Sequence, residues 1–258
     1  MITEYHRPQT LEEALDLLAR PNPVTLPLAG GTSLNGPRPD SIAVVDLQNL
    51  PLNTLLQGGN TLEIGATVTL QSLRNYGLDS GFAALGALRN LIDLEASYNL
   101  RQVATVAGTL VAADGRSPLT TAFLALDARL TICDSAQPAG EKISLGDLLP
   151  RRQERLRGRL IARIAIPLKT KLAFEYVARS PADWPIVCAA AGMWPSGRTR
   201  VALGGFGASP LLAMDGPEAA GADEAARNAY SLAGDQWASA EYRQDVASIL
   251  TRRCLESL

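Results

Sequence analysis

Helical and strand-like segments alternate along this chain, and turns containing proline or glycine separate them. Thr10 and Glu13 have the spacing of a capping box, in which the threonine hydroxyl accepts from the N–H of Glu13 and the glutamate reaches back. The apolar helical face that follows ends at Pro21. Val24–Leu28 and Ile42–Leu47 are short apolar runs typical of strands. This mixture predicts a fold of the α+β class.

The middle of the chain continues the alternation. Leu52–Gln57 and Thr61–Ala66 flank Gly58-Gly59-Asn60, a pattern that predicts a β-hairpin. Further elements predicted before residue 168 are a helix capped by Thr69, a helix within residues 80–95, a helix that starts at Ser117 and Pro118 and runs to about Asp127, and strands at Leu130–Cys133 and Ile161–Pro167.

The last third of the chain has a different pattern. Three strand-like runs are followed by two helical segments, which predicts a small sheet covered by helices. These elements are Leu172–Ala178, Ile186–Met193, Arg200–Phe206, and the segments near 217–233 and 239–255. We therefore expect a domain boundary near residue 168.

Charge and hydropathy exclude several classes of protein. The net charge of −2 and the pI of about 5.6 do not suit general nucleic-acid binding, which needs a strongly basic surface. No uncharged apolar run reaches the roughly 18 residues that a membrane-spanning helix needs. The start of the sequence, Met1 to Pro8, lacks the apolar core of a signal peptide. A cytoplasmic protein is expected.

Histidine and cysteine are too scarce for several kinds of metal site. His6 is the one histidine, and the three cysteines, Cys133, Cys188 and Cys254, are far apart and odd in number. They do not have the number or spacing of a four-cysteine iron–sulfur or zinc site. Any redox chemistry of this chain must therefore depend on an organic cofactor.

Two loops of small residues are the candidate ligand site. Ala29-Gly30-Gly31-Thr32-Ser33 follows a predicted strand, and Thr105-Val106-Ala107-Gly108-Thr109 has the same character. Small residues let the backbone approach a ligand, and successive N–H groups can bind an anion. The two loops are predicted to hold a pyrophosphate from two sides, with the helix that starts at Pro118 adding its positive end. Asp114 is a candidate to bind a ribose or ribityl hydroxyl of such a ligand.

A basic run lies between the predicted strands Leu130–Cys133 and Ile161–Pro167. Its arginines are Arg151, Arg152, Arg155, Arg157 and Arg159. Such a run forms either a solvated charged face or a docking surface for an acidic partner, and the sequence favours the solvated face.

Motifs in a fixed order along nearly the whole chain carry a family resemblance. The chain resembles the FAD-binding medium subunit of molybdenum hydroxylases, the family of the carbon monoxide dehydrogenase medium subunit and the xanthine dehydrogenase flavin domain. The matching segments are 5–8 with 11–15, Ala29-Gly30-Gly31-Thr32-Ser33-Leu34, 64–66, Thr105 to Leu110, 112–114, 124–128, Asp183-Trp184, 200–205 and 239–243.

The resemblance implies a two-subdomain FAD-binding fold of the vanillyl-alcohol-oxidase-like type over residues 1–168. Its subdomains would span about 1–55 and 56–168, and residues 169–258 would form a C-terminal α+β domain. The implied FAD contacts are residues 29–34, residues 105–109, Asp114 and Trp184. Trp184 is either a neighbour of the isoalloxazine ring or a core residue. Valine at Gly30 or Gly31 is expected to abolish FAD binding while the fold survives.

The resemblance also implies a role. Electrons would pass from a molybdenum-containing large subunit through [2Fe–2S] clusters on a small subunit to FAD on this chain, in a hetero-oligomer. The final acceptor stays open among NAD⁺, a quinone and oxygen. The chain would be an oxidoreductase subunit without activity on the substrate by itself.

Departures from the family pattern keep two alternatives open. Ala107 replaces a glycine, Pro118 stands where many members have an aspartate, and Arg159 replaces an acid. Ala107 and Pro118, together with the arginine run, motivate the hypothesis of a flavin-free subunit that keeps the fold and docks partners. A stand-alone flavin oxidoreductase is the third hypothesis, although no acid or base for a substrate site can be assigned.

Overall fold

The structure, a computed structural model, describes residues 1–34, 36, 40–76, 82–181 and 183–258. This part of the chain forms two compact units between which the chain passes repeatedly. The first unit consists of Met1–Leu73, Tyr98–Ala112 and Arg129–Ala165, and the second of Arg74–Ser97, Ala113–Ala128 and Ile166–Leu258. The first two residues of the helix predicted within 80–95, and the proline-rich stretch 35–39 apart from Gly36, lie outside the described residues.

The described elements confirm the α+β class. The strands are β1 Ile2–His6, β2 Thr25–Leu28, β3 Ile42–Asp46, β4 Leu55–Gly58, β5 Thr61–Gly65, β6 Arg129–Cys133, β7 Glu141–Ser144, β8 Leu160–Pro167, β9 Lys171–Val177, β10 Val187–Met193, β11 Thr199–Gly204 and β12 Leu211–Gly216. The helices are α1 Leu11–Leu18, α2 Leu70–Tyr76, α3 Ala83–Glu95, α4 Tyr98–Arg101, α5 Val106–Ala112, α6 Pro118–Ala125, α7 Leu145–Leu148, α8 Arg152–Arg155, α9 Ala222–Ala229 and α10 Ala240–Glu256, with a 3-10 turn at Leu149–Arg151.

A three-stranded parallel sheet begins the first unit. Its order is β1-β3-β2, and β3 runs parallel to both neighbours. All five residues of β3 are buried, as expected for the apolar central strand of a parallel sheet. Helix α1 contacts β2 and β3, and the predicted cap is confirmed, because the Thr10 hydroxyl accepts from the N–H of Glu13 at 3.2 Å. The Glu13 carboxylate accepts from the N–H of Gln9 at 2.9 Å.

A five-stranded sheet completes the first unit, in the order β4-β5-β8-β6-β7. Strands β4 and β5 form the predicted hairpin, with Gly58 opposite Thr61 and Gly59 at φ 58° in the turn. The cap predicted at Thr69 is also confirmed, since its hydroxyl accepts from the N–H of Ser72 at 3.1 Å. Strand β8 lies at the centre of this sheet.

The second unit is built on an antiparallel sheet of order β12-β11-β10-β9. Three of these strands were predicted, and β12 was not. Apolar residues of β10 and β11 are buried against residues of α9 and α10. The structure begins α9 at Ala222 and ends it at Ala229, so the helix is shorter than the predicted 217–233.

Two helices that precede residue 168 belong to the second unit. Helix α6 contacts β10 and β11, and α3 contacts β9. Every residue of α6 is buried, so its packing is part of the core of that unit. The compact units group the residues in a different way from the predicted domains. The domain division at residue 168 and the subdomains 1–55 and 56–168 stay predictions.

Candidate functional site

A cavity of about 680 Å³ lies within the first unit, a volume in the usual range of small-molecule sites. Three segments contribute most of its walls. They are the loop 29–34 after β2, the start of α5, and the segment 152–161 that leads into β8. The cavity thus brings together the two predicted loops and adds a third wall that was not assigned to the site.

The loop 29–34 needs both of its glycines, for different reasons. A Cβ atom on Gly30 would lie 1.8 Å from the carbonyl oxygen of Val103, so only glycine fits there. Gly31 has φ +69°, a left-handed conformation that glycine adopts without strain. The N–H of Leu34 donates to the carbonyl of Gly31 at 3.0 Å and closes the turn.

Donors of this loop are free for a ligand. Within the described part of the chain, the backbone N–H groups of Gly30, Gly31 and Thr32 have no hydrogen-bond acceptor. All three residues line the cavity. Successive unpaired N–H groups in a concave turn are the kind of site that binds an anion.

The second motif is a helix rather than the predicted loop. Helix α5 begins at Val106, and the Thr105 hydroxyl accepts from the N–H of Gly108 at 3.1 Å. Ala107 is therefore a helical residue. Alanine is the most favourable residue at a helical position, so this replacement of the family glycine carries no backbone strain.

The predicted residues of this motif divide between the cavity and the core. Thr105, Ala107 and Gly108 line the cavity. Val106 is fully buried, and its N–H donates to the carbonyl of Val68 at 2.9 Å. The Thr109 hydroxyl donates to the carbonyl of Thr105 at 3.0 Å. Val106 and Thr109 thus support the motif, and they are not among the residues that line the cavity.

The third wall of the cavity comes from the basic run. Arg152, Arg157 and Arg159 line it together with Leu156 and Leu160. These three side chains border a concave site, and Arg157 is also exposed to solvent; the choice between a solvated face and a docking surface stays a prediction. The sequence shows the charge of these residues, but no sequence pattern indicates that the segment leading into β8 lies beside the loop 29–34.

Asp114 and Trp184 belong to the second unit. The Asp114 carboxylate accepts from the N–H of Arg116 at 2.8 Å. The Arg116 guanidinium donates to the carbonyls of Trp184 at 2.7 Å and Pro185 at 3.0 Å. Trp184 is 39% exposed, so it is not a core residue. Arg116 therefore holds the two predicted contact residues in one local network.

The start of α6 is not available to a phosphate. Ser117 caps the helix as predicted, with its hydroxyl accepting from the N–H of Thr120 at 3.1 Å. The buried Glu95 carboxylate accepts from the Leu119 N–H at 3.0 Å and from the Ser117 hydroxyl at 2.8 Å. A carboxyl group of the protein thus occupies the position that was expected to attract the ligand. Burial raises the pKa of Glu95 to about 7.

Two other kinds of structural feature are absent from the described residues. They contain no group of three or more histidine, cysteine, aspartate or glutamate side chains that could hold a metal ion. None of the helices they form has the length and apolar character needed to cross a membrane.

Known proteins resemble this chain over almost its whole length. The Uncharacterized protein YgfM of Escherichia coli K12 is 31% identical over 256 residues, which cover 97% of this chain and 94% of that protein. The carbon monoxide dehydrogenase medium chain of Afipia carboxidovorans is 26% identical over 282 residues, covering 98% of this chain and 95% of that protein.

A solved structure and a family model agree with these relatives. A chain of reconstituted CO dehydrogenase from Oligotropha carboxidovorans superposes with a TM-score of 0.79 at 25% identity, covering 98% of this chain and 96% of that one. The family model described as the FAD binding domain in molybdopterin dehydrogenase matches residues 1–169. Its range contains the whole cavity. The chain therefore belongs to the family of FAD-binding domains in molybdopterin dehydrogenases.

Proposed function

We propose that this chain is the FAD-binding electron-transfer subunit of a molybdenum hydroxylase complex. The observation that carries the proposal is the cavity of the first unit, where the glycine loop 29–34 with its free N–H groups and a wall of arginines line one concave site. FAD has a diphosphate at its centre, and such a group needs unpaired donors and positive charge.

The residues of the cavity fit this cofactor. Gly31 has no side chain and adopts a left-handed conformation. Its backbone lines the cavity. Among the described residues that line the cavity, none is an aspartate or a glutamate, so no carboxylate would repel the diphosphate there. Apolar side chains such as Leu26, Leu160 and Ile161 offer surface to an aromatic ring.

The protein's own contribution is binding and positioning. The N–H groups of Gly30, Gly31 and Thr32, with the hydroxyls of Thr32, Ser33 and Thr105, would bind the diphosphate. Ala29, Leu34, Ala107 and Gly108 would shape the walls, and Asp114 and Trp184 stay cofactor contacts that the family resemblance predicts. Bound FAD would supply the redox chemistry, by accepting electrons and releasing them to an acceptor.

The partners follow from the same proposal. A molybdenum-containing large subunit and a [2Fe–2S] small subunit would deliver the electrons, and the carbon monoxide dehydrogenase medium chain is a relative consistent with a multi-subunit assembly. A cytoplasmic location is part of the proposal, since Cys133, Cys188 and Cys254 are free and buried, as is usual in a reducing compartment.

The flavin-free alternative has less support. The replacement of a motif glycine by Ala107 does not support this alternative, because Ala107 lies in helix α5, where alanine is favourable. Its second motive, the arginine run, is accounted for in part by the arginines at the cavity. The hypothesis of a stand-alone oxidoreductase gains no support, because the described residues that line the cavity include no histidine, aspartate or glutamate to act as an acid or base.

Absorption spectroscopy tests the cofactor and metal analysis tests the role. The purified full-length chain, incubated with FAD and desalted, is expected to retain about one flavin per chain with the visible bands of an oxidised flavin. The tagged chain, isolated from cells that make its partners, is expected to bring molybdenum and iron with it. Absence of flavin from the chain in each of the two preparations would overturn the cofactor assignment. Flavin without copurifying metal would overturn the electron-transfer assignment alone.

A further inference from the structure

The arginines that line the cavity differ in the partners that they have among the described residues. The cavity is lined by Arg152, Arg157 and Arg159. Arg159 forms ion pairs with Asp134 at 3.0 Å and Glu141 at 3.6 Å. Arg152 donates from Nη1 to the carbonyl of Leu110 at 3.0 Å, near the end of α5.

Arg157 differs from both neighbours. Among the residues that the structure describes, its guanidinium has neither an ion pair nor a hydrogen bond. Its side chain is exposed at the rim of the cavity. An arginine that lines a concave site without a protein partner has its full set of donors available to a ligand.

The local backbone fixes the position of Arg157. It is the second residue of a turn in which the N–H of Arg159 donates to the carbonyl of Leu156 at 3.1 Å. Gly158 follows with φ +68°, which reverses the chain before β8. The two sides of the turn are anchored, because Arg155 pairs with Glu141 at 3.0 Å and Leu160 is buried in β8.

We propose that Arg157 is a further binding residue of this site, whose guanidinium contacts the diphosphate of the bound dinucleotide. This inference rests on the proposed function, because it assigns a ligand contact in the same cavity. The glycine loop supplies neutral N–H donors, and Arg157 supplies a charged fork from a different wall. Arginine matches phosphate oxygens with two parallel hydrogen bonds, which a single N–H cannot do.

The test compares dissociation constants of the full-length chain for FAD and for ADP, which carries the diphosphate without the flavin. Arg157→Gln is expected to weaken the binding of both ligands about tenfold, as for the loss of one charge-assisted contact. Arg157→Lys is expected to restore most of the affinity. Arg151→Gln is the matched control, since Arg151 is an exposed arginine of the same run outside the cavity lining, and it is expected to stay within twofold of wild type.

The outcomes separate this inference from the function it rests on. A wild-type chain that binds neither ligand overturns both. A wild-type chain that binds FAD, beside an Arg157→Gln variant with unchanged affinity and melting temperature, overturns the role of Arg157 alone. A loss of FAD affinity without any loss of ADP affinity also overturns it, because the contact would then be to the flavin half.

Discussion

The backbone around Gly30 and Gly31 uses the absence of a side chain in two ways. At Gly30 the missing Cβ makes room for the backbone of Val103, another part of the first unit. At Gly31 it permits the left-handed conformation that turns the loop toward the cavity. The expectation that valine at either position would abolish FAD binding and spare the fold therefore needs correction at Gly30, where any side chain enters the protein interior.

Alanine substitutions should separate these two effects. Gly30→Ala is expected to cost about 3 kcal/mol of stability, because the added methyl overlaps a backbone carbonyl that cannot move freely. Gly31→Ala should cost only about 1 to 2 kcal/mol from its positive φ, while the displaced turn lowers FAD affinity at least tenfold. Urea unfolding and flavin fluorescence titration measure the two quantities.

Gly58→Ala is the control for these variants. Gly58 lies in β4 with nothing within 4 Å of an added Cβ, so its substitution should change neither stability nor affinity. If Gly31→Ala keeps wild-type affinity, the loop is not the binding element.

Arg243 is a completely buried arginine in the second unit. Its Nη1 atom donates to the carbonyls of Ile186 and Gly205, the latter at 2.8 Å. Its Nη2 atom pairs with Asp235 at 2.7 Å, and the guanidinium lies 5.2 Å from the centre of the Phe206 ring. One side chain of α10 thus joins three loop segments to the end of the sheet.

Arg243→Met should destabilise the protein by about 3 kcal/mol, because the two carbonyls and Asp235 lose their buried donor. The measurement is the free energy of unfolding in urea. Arg252→Met, on the same helix, serves as the control, since Arg252 is 59% exposed and its ion pair with Asp223 is 3.6 Å long; it should change stability by less than about 0.5 kcal/mol. Equal effects of the two substitutions would contradict the role given to Arg243.

At the scale of elements, α3 and α6 meet through Glu95. Glu95 is the last residue of α3. Its carboxyl group accepts hydrogen bonds from the Ser117 hydroxyl and the Leu119 N–H at the start of α6. Burial raises its pKa from the ordinary value of 4.5 to about 7, the cap donors oppose that shift, and the charge of Asp114 adds to it. The folded protein therefore binds this proton more tightly than the unfolded chain does.

That difference predicts a stability that falls as the pH rises from about 4.5 to about 7. In this window the native state holds more protons than the unfolded state, so the slope of unfolding free energy against pH is negative. The full loss is on the order of 3 kcal/mol. Glu95→Gln should remove this slope. Parallel curves for wild type and Glu95→Gln, measured by urea unfolding across the window, would refute the prediction, and Glu224→Gln controls for the loss of one exposed carboxylate.

Local signals made many of these elements predictable. The caps at Thr10, Thr69 and Ser117 each need one side chain and one N–H three residues away, and the hairpin at 58–60 needs only its turn residues. The helix α5 was missed because six of its seven residues are small or β-branched, a composition that also suits a loop or strand. Strand β12 pairs with the preceding strand β11, but Ala213, Asp215 and Gly216 are residues that strands disfavour, so its sequence has no strand signal. The arginine wall depends on contacts between residues far apart in sequence.

At the scale of the whole molecule, the chain order and the packing order differ. Segments 74–97 and 113–128 precede residue 168, yet they belong to the second unit with residues 166–258. Helix α6 in the second of these segments is buried along its whole length. A division of the chain at residue 168 would therefore remove the sheet against which α6 packs.

A fragment of residues 1–168 is accordingly expected to fold poorly. Loss of β9 to β12 would expose the apolar surface of α6. Burial of apolar surface stabilises a fold by roughly 25 cal/mol per Å², and the fragment would lose this contribution. We expect the fragment to bind a hydrophobic dye, to unfold without a sharp transition, and to bind FAD more weakly than the full chain. The matched control is the full chain cleaved between residues 168 and 169 through an inserted protease site, in the turn between β8 and β9. Because the cleaved chain keeps all its packing, it should retain a sharp transition and its flavin. A fragment that unfolds as sharply as the cleaved chain would show instead that residues 1–168 fold independently, as the family resemblance implies.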